Sequence, residues 1–147
     1  MNFMEEHELV HTQFKHEVIP NFNFSCYLSI KDVQTGLDER ALEMYFYWPE
    51  YNKMYEKAEK IKVTRRPERH WIIKSPNKKS CLQYISFNLI KKTLHVRAHF
   101  RSWNSRMEYY DINYLKLVIF EFLRTNYLEF DIIELYCSAD VYFKEIQ

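Results

Sequence analysis

The chain has 147 residues, a formal net charge of +1, 18% aromatic residues and a single glycine, Gly36. That length suits one domain, residues 1–147, with a real core. The near-neutral charge supplies no global field for nucleic acid, and one glycine excludes a P-loop or a dinucleotide fingerprint, each of which needs several. The three cysteines, Cys26, Cys81 and Cys137, show no CxxC spacing. With no targeting-type apolar run near residue 1, they are expected as reduced thiols in a cytoplasmic protein. The longest apolar stretch, residues 115–123, is interrupted by charge and too short for a bilayer, so no membrane span is expected.

In chain order, residues 4–18 carry a weak helical stripe of Leu9, Val10 and Phe14, which Pro20 should end. Residues 21–30 alternate Phe22, Phe24 and Tyr27 with polar residues and predict a strand. Thr35-Gly36 is a turn. Asp38 is placed as N-cap of a helix reaching Trp48, where Pro49 interrupts it. Residues 51–60 predict a charged, solvated helix, residues 63–69 a basic loop, and residues 70–74 a short apolar strand. A turn at Ser75-Pro76-Asn77 leads into a hairpin. A loop over 103–108 precedes a long helix, 110–127, and a last strand covers 132–142. In the long helix Leu115, Leu117, Val118, Ile119, Phe120, Phe122 and Leu123 occupy nearly the whole circumference. A helix apolar all round is a buried one, covered by the sheet or by a partner chain. The fold class is therefore α+β, a mostly antiparallel sheet packed on a buried central helix.

The hairpin carries the candidate chemistry. Thr93, His95, Arg97, His99 and Arg101 share one face of its second strand; Leu94, Val96, Ala98 and Phe100 share the other. A three-residue loop centred on Lys91 would set Cys81 opposite Arg101, whereas a two-residue Lys91-Lys92 turn would pair Cys81 with Ser102. A cation beside a thiol favours the thiolate, the nucleophilic form. The row of histidines and arginines suits an anion such as phosphate. His95 and His99 lie too far apart along a strand to share a metal without a third ligand, so no metal is expected. A buried small hydrophobe is the alternative for Cys81, a solvated strand-end cation for Arg101, and a helix-start residue for Asn113.

Residues 65–143 resemble the thymidylate synthase and pyrimidine hydroxymethylase family. In that family a catalytic cysteine begins a strand and an Arg-Ser pair ends the next; Cys81 and Arg101-Ser102 have that separation. The family's asparagine at the start of a buried helix resembles Asn113. Its His-x-Tyr resembles Asp140-Val141-Tyr142, and its Arg-Arg pair resembles Arg65-Arg66, with Arg69 as a competing match. Asn104 stands where the family has an aspartate, Asp140 where it has the histidine, and the family's N-terminal phosphate loop and most of its folate region have no counterpart. Asp111 is the other candidate for the base-reading position, where a carboxylate favours a cytosine amino group over a uracil carbonyl.

The resemblance implies a compact thymidylate synthase-like fold. It also implies a transferase that adds a one-carbon group to C5 of a deoxypyrimidine monophosphate, dUMP favoured, after Cys81 attacks C6. Arg101, Ser102, Asn113, Tyr142, Asn104, Asp140, Arg65 and Arg66 would hold the substrate, and methylenetetrahydrofolate would be the donor. A homodimer is implied, because the family completes its phosphate site across subunits; a second polypeptide supplying the missing parts is the variant. The other reading is a catalytically degenerate homologue that binds a nucleotide or a protein. A binder of single-stranded nucleic acid is the third, and the near-neutral charge argues against it.

Overall fold

The computed structural model describes residues 15–35, 37–62, 70–126 and 132–146. Five strands form one sheet: β1 (His16–Leu28), β2 (His70–Lys74), β3 (Leu82–Ile90), β4 (Thr93–Asn104) and β5 (Ile132–Glu145). Their spatial order is β1-β5-β4-β3-β2. Three of the four neighbour pairs are antiparallel, and β4 with β5 is parallel. The parallel pair needs a crossover, and that crossover is the long helix between β4 and β5. The helices are α1 (Ile30–Thr35), α2 (Glu39–Glu43), which runs on into a 3-10 turn at Met44–Tyr47, α3 (Pro49–Lys60) and α4 (Ser105–Thr125). The class is α+β, as the alternation patterns imply. No helix among the described residues is long and apolar enough to cross a membrane.

The central helix α4 is covered as its composition demands. Every residue from Asp111 to Leu123 is buried or half-buried. One side packs on β4 and β5, and α1, α2 and α3 cover the other. No partner chain is required to bury it. Phe122 lies flat on Phe87 of β3, with ring centroids 4.4 Å apart, and against Trp71 of β2 at 5.7 Å. The prediction of a solvated helix over 51–60 is corrected here: Tyr51, Met54 and Ala58 of α3 are buried. Their i, i+3, i+7 spacing is a core-facing stripe, and the surrounding charges occupy only the outer face. The predicted helix over 4–18 is also corrected where it is described. Residues 16–18 belong to β1, and Pro20 lies inside that strand rather than ending a helix. β1 is an edge strand, where a proline leaves no ladder bond unmade on its open side.

Four neighbouring strands share an irregularity. The core-facing positions normally alternate, but each strand once advances three residues: Ile19 to Phe22 in β1, Ala139 to Tyr142 in β5, Phe100 to Trp103 in β4, and Leu82 to Ile85 in β3. The steps fall at adjoining levels, because Phe22 pairs with Ala139, Ala139 with Phe100, and Phe100 with Leu82. Asn21 takes the β1 step with φ 50°, a conformation asparagine tolerates better than most residues. In β3 the step is a bulge at Gln83, between the Leu82–Phe100 and Tyr84–His99 pairs.

Candidate active site

That bulge decides what faces Cys81. The hairpin turn has two residues, since Ile90 pairs with Thr93. Lys91 takes the positive φ, 54°, that such a tight turn needs and that a glycine usually supplies. From this turn alone Cys81 would meet Ser102. The extra residue at Gln83 shifts the register by one, and the Arg101 amide donates to the Cys81 carbonyl at 2.7 Å. The predicted Cys81–Arg101 opposition is thus reached through a two-residue turn and a bulge, not a three-residue loop.

Cys81 itself is 0% exposed and belongs to the hydrophobic core. Its Sγ lies 3.5 Å from the Ser102 Oγ. The Arg101 guanidinium donates through Nη2 to the Lys79 carbonyl at 3.0 Å, which ties the segment before Cys81 to the end of β4. The ends of β3 and β4 thus pair Cys81 with Arg101 through the backbone and bring the Cys81 side chain to that of Ser102. The alternation of β4 sends His95, Arg97 and His99 to the face turned away from the helices.

The remaining candidates sit elsewhere. The Asn113 Oδ1 accepts from the Asp38 amide at 3.0 Å, and its Nδ2 donates to the Tyr109 carbonyl at 2.8 Å. Asp38 caps α2 by accepting from the amides of Arg40 and Ala41, so Asn113 clamps the start of α2 to α4. Asn104 is the N-cap of α4, accepting from the Met107 amide at 2.9 Å. Tyr142 is stacked on Phe22 with centroids 3.9 Å apart, and its hydroxyl donates to Glu108 Oε2 at 3.2 Å. Burial, then Glu108, pushes that phenol up to about 12. The Asp140 Oδ1 lies 3.1 Å from His99 Nε2 on the outer face. Arg65, Arg66 and Arg69 lie outside the described residues.

A polar cluster that the residue patterns did not disclose lies behind Cys81. Asp111 is 1% exposed. Its Oδ1 accepts from the Tyr45 hydroxyl, and its Oδ2 from the Trp103 indole nitrogen at 2.7 Å. Burial pushes this carboxyl up to about 7; the bonds from Tyr45 and Trp103 oppose the rise and Glu108 adds to it. Tyr45, Tyr51 and Tyr114 form a ring cluster beside it, with centroids 4.9 to 5.0 Å apart. Burial first, and Asp111 next, push all three phenols well up. Tyr51 also feels Cys81 and Ser80, so the cluster reaches from the thiol to the root of α4. No cation is among the partners of Asp111 in these contacts. Its partners come from segments 66 and 8 residues away, and only Trp103 lay close enough in sequence to be suspected.

The three thiols differ in exposure: Cys26 is half-buried, while Cys81 and Cys137 are buried. A disulfide reagent applied to the native protein should therefore modify Cys26 first, with Cys81 and Cys137 at least about tenfold slower until denaturant is added. Three equally fast thiols would contradict the burial of Cys81. Among the described residues no group of three or more His, Cys, Asp or Glu side chains is placed to hold a metal ion.

No family model and no curated protein matches the chain. Its structure is similar to the crystal structure of thymidylate synthase from T4 phage, with a TM-score of 0.52 and 9% sequence identity, covering 100% of this chain and 77% of that one. At such identity the likeness is one of fold, and the chain has a thymidylate synthase-like fold.

Proposed function

We propose that the chain is a thymidylate synthase-like transferase, with Cys81 as nucleophile toward C6 of a deoxypyrimidine monophosphate, dUMP favoured. The observation that supports it is the pairing of Cys81 with Arg101 through the backbone and its side-chain contact with Ser102, at the β3–β4 junction of such a fold. Thiolate addition to C6 forms a carbon–sulfur bond and moves electron density to C5, which can then accept a one-carbon group. Ser102 Oγ can hold the thiol proton or donate to the thiolate. Arg101 offers a planar fork to a phosphate once it leaves the Lys79 carbonyl. Tyr142, Asn104, Asn113 and Asp140, with Arg65 and Arg66, complete the proposed substrate set. Methylenetetrahydrofolate is the donor this reading implies. Cys81 and its neighbour Ser80 are buried in this structure. A homodimer in the cytoplasm belongs to the same proposal.

A second reading has an observation of its own. The thiol is enclosed, both ends of the Asn113 amide are engaged, and Asn104 is a helix cap. These suit a nucleotide-binding homologue without turnover. Intact-protein mass after incubation with 5-fluoro-dUMP, with and without methylenetetrahydrofolate, separates the two. The transferase should gain a folate-dependent adduct that Cys81→Ser lacks. Calorimetric binding of dUMP with no adduct would remove the transferase and leave the binding module.

A further inference from the structure

The turn in front of Cys81 is built as one closed body. The Ser75 Oγ accepts from the Asn77 amide at 3.2 Å and donates to the Asn77 carbonyl at 3.1 Å. The Asn77 Oδ1 accepts from the Lys79 amide at 3.0 Å, and the Asn77 carbonyl accepts from the Ser80 amide at 3.1 Å. Serine and asparagine side chains that bond nearby backbone in this way fix a turn locally. Residues 75–80 can therefore move as a unit without remaking these bonds. Two strand side chains tie the unit to the sheet. Gln83, at the β3 bulge, donates through Nε2 to the Lys78 carbonyl at 3.4 Å and to the Ser80 carbonyl. Arg101 of β4 donates through Nη2 to the Lys79 carbonyl at 3.0 Å. Exposure changes abruptly along this turn. Residues 76–79 are exposed, while Ser80 is 1% and Cys81 0% exposed. The thiol thus lies directly behind a surface turn, with Tyr51 of α3 beside Ser80 and Cys81.

One of the two side chains that hold the turn down is the phosphate ligand of the proposed function. Arg101 is only half-buried, within reach of a dissolved anion. While the turn is closed, one arm of its guanidinium fork is committed to a neutral carbonyl. A phosphate dianion offers a charge-assisted, bidentate partner instead. Turn and anion therefore compete for the same arm, and the anion binds the open arrangement more tightly than the closed one. Such a difference in affinity is what a ligand needs to shift an equilibrium between two arrangements.

We infer that Arg101 is a latch: it holds residues 75–80 closed over Cys81 until the phosphate of the substrate takes its guanidinium, and the released turn then uncovers the thiol. The inference rests on the reading of Arg101 as a phosphate ligand, and it lets a fully buried cysteine serve as a nucleophile. The test is labelling with N-ethylmaleimide, read at each cysteine by peptide mass spectrometry, in inorganic phosphate and in chloride at equal ionic strength. Phosphate should speed the labelling of Cys81 by about tenfold or more and leave Cys137, the buried control for unfolding, unchanged. Arg101→Met, which cannot bond the carbonyl, should label Cys81 about tenfold faster than the wild type in chloride and lose the response to phosphate. Gln83→Ala should also speed Cys81 in chloride but keep the response, because Arg101 remains to take the anion. Wild-type labelling of Cys81 that phosphate leaves alone or slows would overturn the inference. So would labelling of Cys81 that rises only in step with Cys137, since that is opening of the whole core. Phosphate-accelerated labelling without a 5-fluoro-dUMP adduct would keep the latch and remove the transferase; an adduct without acceleration would do the reverse.

Discussion

Denaturation of the wild-type protein is expected to show stability falling as pH rises from 5 to 8, by on the order of 2–3 kcal/mol from Asp111 alone. The sign follows from proton binding. The folded carboxyl sits at about 7 against an ordinary value of 3.8. Between those two values the native state holds a proton that the unfolded chain has released. The stabilisation is fully present below the lower value and is lost as pH passes the upper one. The groups facing Asp111 are Tyr45 from the 3-10 turn, Tyr51 from α3, Glu108 and Tyr114 from α4, and Trp103 from β4. Cys137 of β5 also feels it. None of these is a cation that would relieve the buried charge. Asp32 and Asp38, at α1 and α2, act oppositely. Hydrogen bonds from Ser29 and from Tyr109 hold them low, so what they contribute is lost as pH falls toward their range. In Asp111→Asn the fall between pH 5 and 8 should shrink by that amount, although one of the two donors then loses its acceptor. An equal pH slope in both proteins would remove Asp111 as its source.

The second large effect is expected at Phe122. Truncation to alanine should lower stability by about 3–5 kcal/mol, because a fully buried ring leaves both its transfer energy and a cavity behind. Phe122 joins α4 to Phe87 and Trp71 on two strands, so the cavity opens where the helix meets the β2–β3 end of the sheet. Ile72→Ala on the outer face should change stability by no more than about 0.5 kcal/mol. Urea unfolding of both variants checks the contrast. A Phe122→Ala loss below about 1 kcal/mol would mean that α4 does not pack there as described.

What could be read from the residues alone followed local periodicity. The alternation of residues 93–101 gave β4 and its two faces, and the all-round apolarity of residues 115–123 gave a buried helix. Asp38 was identifiable as a cap because an N-cap is a local pattern. Elsewhere tertiary packing overrules the local cue. The charges of residues 51–60 masked the Tyr51, Met54, Ala58 stripe, and Pro20 looked like a stop signal when it lay in an edge strand. The Gln83 bulge has no residue signature, so the hairpin register could be reached only as a choice between two turns. The candidate site was legible to the same degree. Strand spacing sets Cys81 opposite Arg101, and a helix-start role for Asn113 is among the local alternatives, but nothing local announces that Asn113 reaches the start of α2 across 75 residues, or that Tyr45 meets Asp111 across 66.

The three-residue steps in β1, β5, β4 and β3 bear on how such a chain can change over time. Replacing a side chain on the outer face disturbs only its neighbours. Adding or deleting one residue in any of the four strands would turn Phe22, Ala139, Phe100 or Leu82 out of the core, and the adjoining strand carries a matching step that cannot follow by sliding. A sheet built this way accepts drift in chemistry and resists drift in length.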